Sequence, residues 1–207
     1  MDSKRVVLYW ERGFIKEKTE EKLLRCADDF CLQEPDFLSE AKPFLLTRTE
    51  LGKPQFLQPQ GMFCSPSHSG DLFVAAFSSC SVGADVQRIR EGDAEEERVL
   101  RIAGRFFHPE ERSFLQKETL FRFYLLWTAR ESYGKLLGTG LDSALSRRSL
   151  LPNSSFAPSF SQGEEISWEA CGVFFRSRFF SSREVLTVCA VSPFQLCFSP
   201  LPEKTER

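Results

Sequence analysis

Leu120-Phe121-Arg122-Phe123-Tyr124-Leu125-Leu126-Trp127-Thr128-Ala129-Arg130-Glu131-Ser132-Tyr133-Gly134-Lys135 begins as an apolar run and turns charged over its last two turns. From Leu120 to Trp127 only Arg122 is charged, as in a helix buried nearly all round. At 3.6 residues per turn Trp127, Glu131 and Lys135 share one stripe. A Glu followed four residues later by Lys is a helical ion pair worth about 0.2 to 0.5 kcal/mol, and that reading suffices for the segment taken alone. The helix is expected from Thr119 to Leu137, stopping at Gly138 and Gly140.

Upstream, Ser81-Val82-Gly83-Ala84-Asp85-Val86-Gln87 reads as a short strand. Its period of two puts Val82, Ala84 and Val86 on one face and Gly83, Asp85 and Gln87 on the other. Asp is depleted in strands, so Asp85 calls for a partner, and Gly83 leaves room for a ligand close to the backbone. An edge strand with one solvated face accounts for the pattern equally well. Earlier still come Gly52-Lys53-Pro54 and Ser65-Pro66-Ser67-His68-Ser69-Gly70, ahead of the apolar strand Leu72 to Phe77. Lysine, imidazole and hydroxyls all bind phosphate, yet Gly-Lys-Pro is also an ordinary turn and a Ser-rich hexapeptide an ordinary loop.

In this order the segments resemble the 4'-phosphopantetheinyl transferases of the surfactin-synthetase-activating type, which have holo-acyl-carrier-protein synthase activity. That family carries Gly-Lys-Pro, Ser-His-Ser before a strand, Gly-x-Asp-x-Glu, and Trp-x-x-Lys-Glu-x-x-x-Lys. The counterparts here are Gly52 to Pro54, Ser67 to Ser69, Gly83 to Gln87 and Trp127 to Lys135. Four ordered motifs at family-like spacing, across roughly residues 44 to 141, are a poor match for chance.

Composition is compatible with such an enzyme. The 207 residues, 42% hydrophobic, suffice for one sizeable core. With 27 basic against 29 acidic residues and a net charge of -2, no global field recruits nucleic acid or an anionic membrane. The 7 cysteines are scattered without a Cys-x-x-Cys pair, which argues for a reducing compartment over a disulfide framework or zinc site. Val6 to Trp10 is too short for a signal-peptide core and no run approaches a membrane span, so a cytoplasmic protein is expected; a monomer is expected as well.

Further elements are expected as a strand Val6 to Trp10, a helix Lys16 to Asp28, a loop through Pro35 and Pro43, and strands Phe44 to Thr49, Leu72 to Phe77 and Val82 to Val86. A helix Ala94 to Ala103 carries Arg98, Arg101 and Arg105 on one stripe, a candidate docking face for an acidic partner, with Phe106, Phe107 and Phe114 nearby as core or landing site. His108-Pro109-Glu110-Glu111 reads as a helix start. Residues 142 to 165 read as loop, Ser167 to Arg178 and Glu184 to Ser192 as β-rich runs, and Pro200 to Arg207 as a frayed tail. Helix plus antiparallel strands, occurring twice, gives an α+β class.

The resemblance implies two pseudo-symmetric halves, each a helix on a small antiparallel sheet, at residues 1–90 and 91–195 of one structural unit with a flexible tail at 196–207, and an active site in the cleft between. It implies transfer of the 4'-phosphopantetheine arm of coenzyme A to a serine of an apo acyl or peptidyl carrier protein, with release of adenosine 3',5'-bisphosphate. Asp85 and Glu131 are then ligands of a magnesium ion, Glu131 the general base, and Lys135 a phosphate contact that assists the leaving group. Lys53, Ser67 and His68 match positions that hold coenzyme A. Arg130 stands where the family has lysine and is expected to bind substrate as a planar fork in place of a compact ammonium. Gln87 replaces the usual third acidic ligand, and its carbonyl offers the metal a neutral oxygen. Gly134, costly in a helix, points to close approach of ligand or backbone. A coenzyme A- or carrier-binding protein without turnover is the alternative from another class. A metal-dependent phosphodiesterase would call for a more basic surface, and a serine hydrolase lacks a Gly-x-Ser-x-Gly elbow.

Overall fold

The computed structural model describes residues 3–13, 19–34, 37, 43–141, 145–152, 156, 158 and 161–203. Strand β1, Lys4–Arg12, buries both faces, Val6 and Leu8 on one and Val7 and Tyr9 on the other. Helix α1, Thr19–Gln33, lays Leu23, Cys26, Ala27 and Phe30 on the Val7 and Tyr9 face. Its expected start at Lys16, together with Lys18, lies outside the described residues. Strands β2, Leu45–Arg48, and β3, Pro54–Gln58, form a two-stranded ribbon. Strands β4, Phe63–Ser69, and β5, Leu72–Ser78, form a hairpin, and β6, Val82–Arg88, follows at once.

Helices α2, Asp93–Phe106, and α3, Pro109–Phe114, then lead into α4, Thr119–Leu137. Helix α3 starts as expected, on a capping box in which the Glu111 carboxylate accepts from His108 N at 2.9 Å. The chain ends in β7, Glu165–Ala170, β8, Val173–Ser181, β9, Glu184–Ala190, and β10, Phe194–Pro200. No helix among the described residues is long and apolar enough to cross a membrane.

These elements build four layers of a mixed α+β fold. One sheet has the order β10-β1-β5-β4, with β10 parallel to β1; the other is β6-β9-β8-β7 and antiparallel throughout. Between the sheets Val6, Leu8, Val74 and Ala76 meet Val82, Ala84, Val86, Leu186 and Val188. Helix α1 covers the outer face of the first sheet, while α2 and α4 cover that of the second, over Phe175, Phe179, Val185 and Cys189. Helix α4 is therefore buried nearly all round, as its composition requires.

The structure corrects four sequence expectations. Ser65 to Gly70 is not a loop: Ser65 to Ser69 are strand, their polar side chains employed at an inter-sheet seam described below. Residues 196–200, expected in the tail, are strand, because Phe194 and its neighbours pair with β1. The expected boundary at residue 90 does not divide the sheets, since β6 belongs with β7 to β9 and β10 with β1. The run Ser167 to Arg178 is broken at Cys171 and Gly172, both at positive φ (54° and 71°), into a tight hairpin.

Gly83 has a tertiary cause. A Cβ there would stand 1.9 Å from the Ser132 carbonyl oxygen and 2.8 Å from Leu136 N, so the space expected for a ligand is filled by the backbone of α4. The solvated edge face is likewise excluded, because Val82 to Val86 are all buried. Helix backbone cannot swing aside as a side chain can, so Gly83→Ala should cost at least about 3 kcal/mol in denaturant unfolding. Gly104→Ala in α2, where a Cβ meets nothing within 4 Å, should instead stabilise by about 0.5 to 1 kcal/mol. Similar small changes for both would contradict the packing of β6 on α4.

Candidate active site

Asp85 lies on β6 on the face turned to α4 and is only 3% exposed. Its Oδ1 accepts from Ser67 Oγ at 2.7 Å and from Lys135 Nζ at 2.8 Å, and its Oδ2 accepts from Gln87 Nε2 at 3.0 Å. Lys135 also donates to the Ala84 carbonyl at 3.1 Å. One turn earlier on α4 stands Glu131, half-buried, with its carboxyl pushed up to about 7 by burial and then by the charge of Asp85, against the opposing pull of Lys135. The helical spacing of Glu131 and Lys135 and the strand phase of Asp85 thus converge on one cluster.

The raised Glu131 carries a stability consequence. A carboxyl that holds its proton more tightly folded than unfolded contributes most below its ordinary value of 4.5, loses that contribution as pH rises towards 7, and regains none above. Without divalent cations, Glu131→Gln should therefore melt above wild type at pH 8 and level with it near pH 4.5. Thermal melts in chelator test this; equal melting temperatures for variant and wild type at both values would place Glu131 in open solvent.

Lys53 donates from Nζ to the Leu136 carbonyl at 3.0 Å, at the C-terminal end of α4, and burial lowers its pKa. It lines a groove of about 410 Å3 with Arg48, Gly134, Lys135 and Gly140. A second groove of about 290 Å3, bordered by Thr19, Arg48, Ser67, His68 and Phe73, holds the exposed His68. Arg48 borders both and was not singled out in the sequence; it donates to Glu20 Oε1 at 3.0 Å and to the Gly52 carbonyl at 3.1 Å. The only signal would have been a lone cation ending a short strand before Gly52. Gly134 answers to backbone, with a virtual Cβ 2.5 Å from the Gly140 carbonyl oxygen.

Three expectations about individual side chains change. Arg130, expected to bind substrate, is 1% exposed and points away from the cluster, since one residue along a helix rotates about 100° from Glu131. Its guanidinium is held by Glu111 and by the carbonyls of Leu145 at 2.8 Å and Arg148 at 2.9 Å. Gln87 does face Asp85, and in this structure it presents its amide N–H to the carboxylate. Ser67 likewise directs its hydroxyl to Asp85.

Among the described residues no group of three or more His, Cys, Asp or Glu side chains forms a ready metal cage; the site offers a pair of carboxylates. The arginine stripe of α2 is largely neutralised. Arg98 forms a two-pronged pair with Glu95, which it holds at about 2, and Arg101 lies 3.9 Å from Glu97. Phe107 is core, stacked on Phe123.

Residues 81–189 match a family model described as the 4'-phosphopantetheinyl transferase superfamily. The chain is 38% identical over 101 residues to the 4'-phosphopantetheinyl transferase gsp of Aneurinibacillus migulanus, covering 47% of this chain and 39% of that protein. It is 32% identical over 155 residues to a 4'-phosphopantetheinyl transferase of Bacillus subtilis, covering 70% and 62%. To the 4'-phosphopantetheinyl transferase Sfp of Bacillus subtilis strain 168 it is 32% identical over 124 residues, covering 58% and 49%. The chain thus spans between 39% and 62% of the length of these relatives.

Proposed function

Because the chain belongs to the 4'-phosphopantetheinyl transferase superfamily, we propose that it transfers the 4'-phosphopantetheine arm of coenzyme A to a serine of an apo carrier protein and releases adenosine 3',5'-bisphosphate. The observation that carries this reading is the convergence of Asp85, Glu131 and Lys135, with Glu131 raised to about 7. A half-buried carboxylate turned to that cluster can accept a proton from a hydroxyl. The carrier serine oxygen bonds to the phosphorus that bears the arm, the bridging phosphate bond breaks, and the bisphosphate leaves with the bond electrons. Glu131 takes the serine proton, and the Lys135 ammonium offers positive charge to the departing phosphate. Lys53, His68 and Arg48 place three basic groups along the two grooves, where a nucleotide with several phosphates can lie.

The donor set fits a magnesium ion. The charge of Asp85 adds to the cost of ionising Glu131, a repulsion that a shared cation relieves, and both side chains are oxygen donors of the type magnesium prefers. They are the residues that would hold it, with Gln87 beside them. When bound with the diphosphate, the ion supplies charge neutralisation at the phosphate oxygens. The layered fold supports reading α1 with the first sheet and α4 with the second as two related halves, the site lying at their seam. Seven free cysteines suit a cytoplasmic setting, and a monomer is the working assembly.

One observation favours a second reading, a coenzyme A- or carrier-binding member without turnover. Both Asp85 oxygens are engaged by donors, and among the described residues no third carboxylate completes a metal cage. Incubation with coenzyme A, magnesium and a panel of apo carrier proteins, read as mass gain of the arm, separates the two. Gain on a carrier is expected; coenzyme A binding without gain on any carrier would establish the second reading.

A further inference from the structure

Strand β6 pairs with β9 along one edge, and its other edge faces β4 of the first sheet without a backbone ladder. The amide groups on that edge are met by serine side chains. Ser65 Oγ accepts from Ala84 N at 2.9 Å, Ser67 Oγ from Val86 N at 3.3 Å, and Ser69 Oγ from Arg88 N at 2.8 Å. Spaced by two on both strands, the three hydroxyls repeat in register, and each replaces a carbonyl that the neighbouring strand does not bring close enough. A serine hydroxyl has one proton and two lone pairs. Once Ser67 Oγ has accepted from Val86, its proton is directed to Asp85 Oδ1 at 2.7 Å. Ser67 is 8% exposed, so water competes little for that proton.

We infer that Ser67 is a positioning residue for Asp85: the serine seam locks β4 to β6 in register, and its central hydroxyl fixes the carboxylate opposite Lys135. This rests on the transferase reading and changes the role expected of Ser67 from a coenzyme A contact to the alignment of a carboxylate that acts in transfer. The register makes the assignment specific. Ser65 serves the same seam two residues away with its hydroxyl bound to the Ala84 amide, so it shares the structural role but not the contact with Asp85.

The test compares Ser67→Ala, Ser67→Thr and Ser65→Ala by melting temperature, by kcat and KM for coenzyme A with an apo carrier, and by the carboxyl carbon resonance of Asp85 in labelled protein. Ser67→Ala should lower kcat by about tenfold or more, within the range for residues that orient a site ligand, and leave KM within about twofold. It should also move the Asp85 resonance. Ser67→Thr should restore both, and Ser65→Ala should lower the melting temperature while leaving kcat and the resonance in place. A raised KM with kcat retained, an equal loss of kcat in Ser65→Ala, or an unmoved Asp85 resonance in Ser67→Ala would overturn the inference. Absence of turnover in wild type would sink the transferase reading, and the resonance would still decide whether Ser67 sets Asp85.

Discussion

Asp85→Asn and Glu131→Gln should each lower transfer of the arm by about a thousandfold or more, and the double variant should be little worse than either. The two side chains act on one event. If either carboxylate is lost, the cluster can no longer offer paired negative charge to a cation, and with Glu131 the proton acceptor is lost as well. Folding should survive, because both replacements keep shape. Asn at position 85 can still accept from Ser67 and Lys135, which otherwise lose a buried partner. Mass analysis of the carrier after fixed times, with melting curves alongside, measures both quantities. Near-normal turnover in either single variant would remove that residue from the chemistry, and additive losses would show two independent jobs.

The second large effect falls on stability. Arg130→Ala should destabilise the fold by about 3 to 5 kcal/mol, the usual cost of leaving one member of a buried ion pair alone. Glu111 is fully buried and does three things at once. It pairs with Arg130, accepts from Leu150 N at 2.8 Å, and closes the α3 cap through His108 N. Losing the guanidinium also frees the Leu145 and Arg148 carbonyls, so the chain after α4 loses its tie to the helix. The joint replacement Arg130→Met with Glu111→Leu should cost less than Arg130→Ala, since no lone charge remains buried. Urea unfolding gives these differences, and KM for coenzyme A in Arg130→Ala, measured well below its melting temperature, should stay close to wild type. A large rise in that KM would return Arg130 to substrate binding.

Much of the site could be read from local periodicity. The strand phase at Val82 to Gln87 places Asp85 and Gln87 on the face of Gly83, and the structure has that phase, with Val82, Ala84 and Val86 turned between the sheets. The helix Thr119–Leu137 has the bounds its composition and Gly138 suggest. These features follow from interactions within a few residues, where side-chain direction is set by φ and ψ alone. Strands β3, β4 and β10 escaped because their sequences are polar or proline-bearing, and their strand state depends on neighbours distant in the chain.

The α+β class, the buried α4 and the stripe shared by Glu131 and Lys135 follow from composition and residue spacing. What each polar group meets depends on how distant segments pack. Arg130 and Glu131 are adjacent and equally polar, yet one full turn of α4 is packed on both sides, so one side chain enters an ion pair with Glu111 and the other faces Asp85. Gly83 looked like space for a ligand and proved to be space for a helix. Ser67 matches a coenzyme A position by its motif, and only β4 lying along β6 gives its proton a buried carboxylate to meet. In each case the residue type limits what can be bonded, while the partner is chosen by the approach of segments tens of residues apart, which local pattern does not encode.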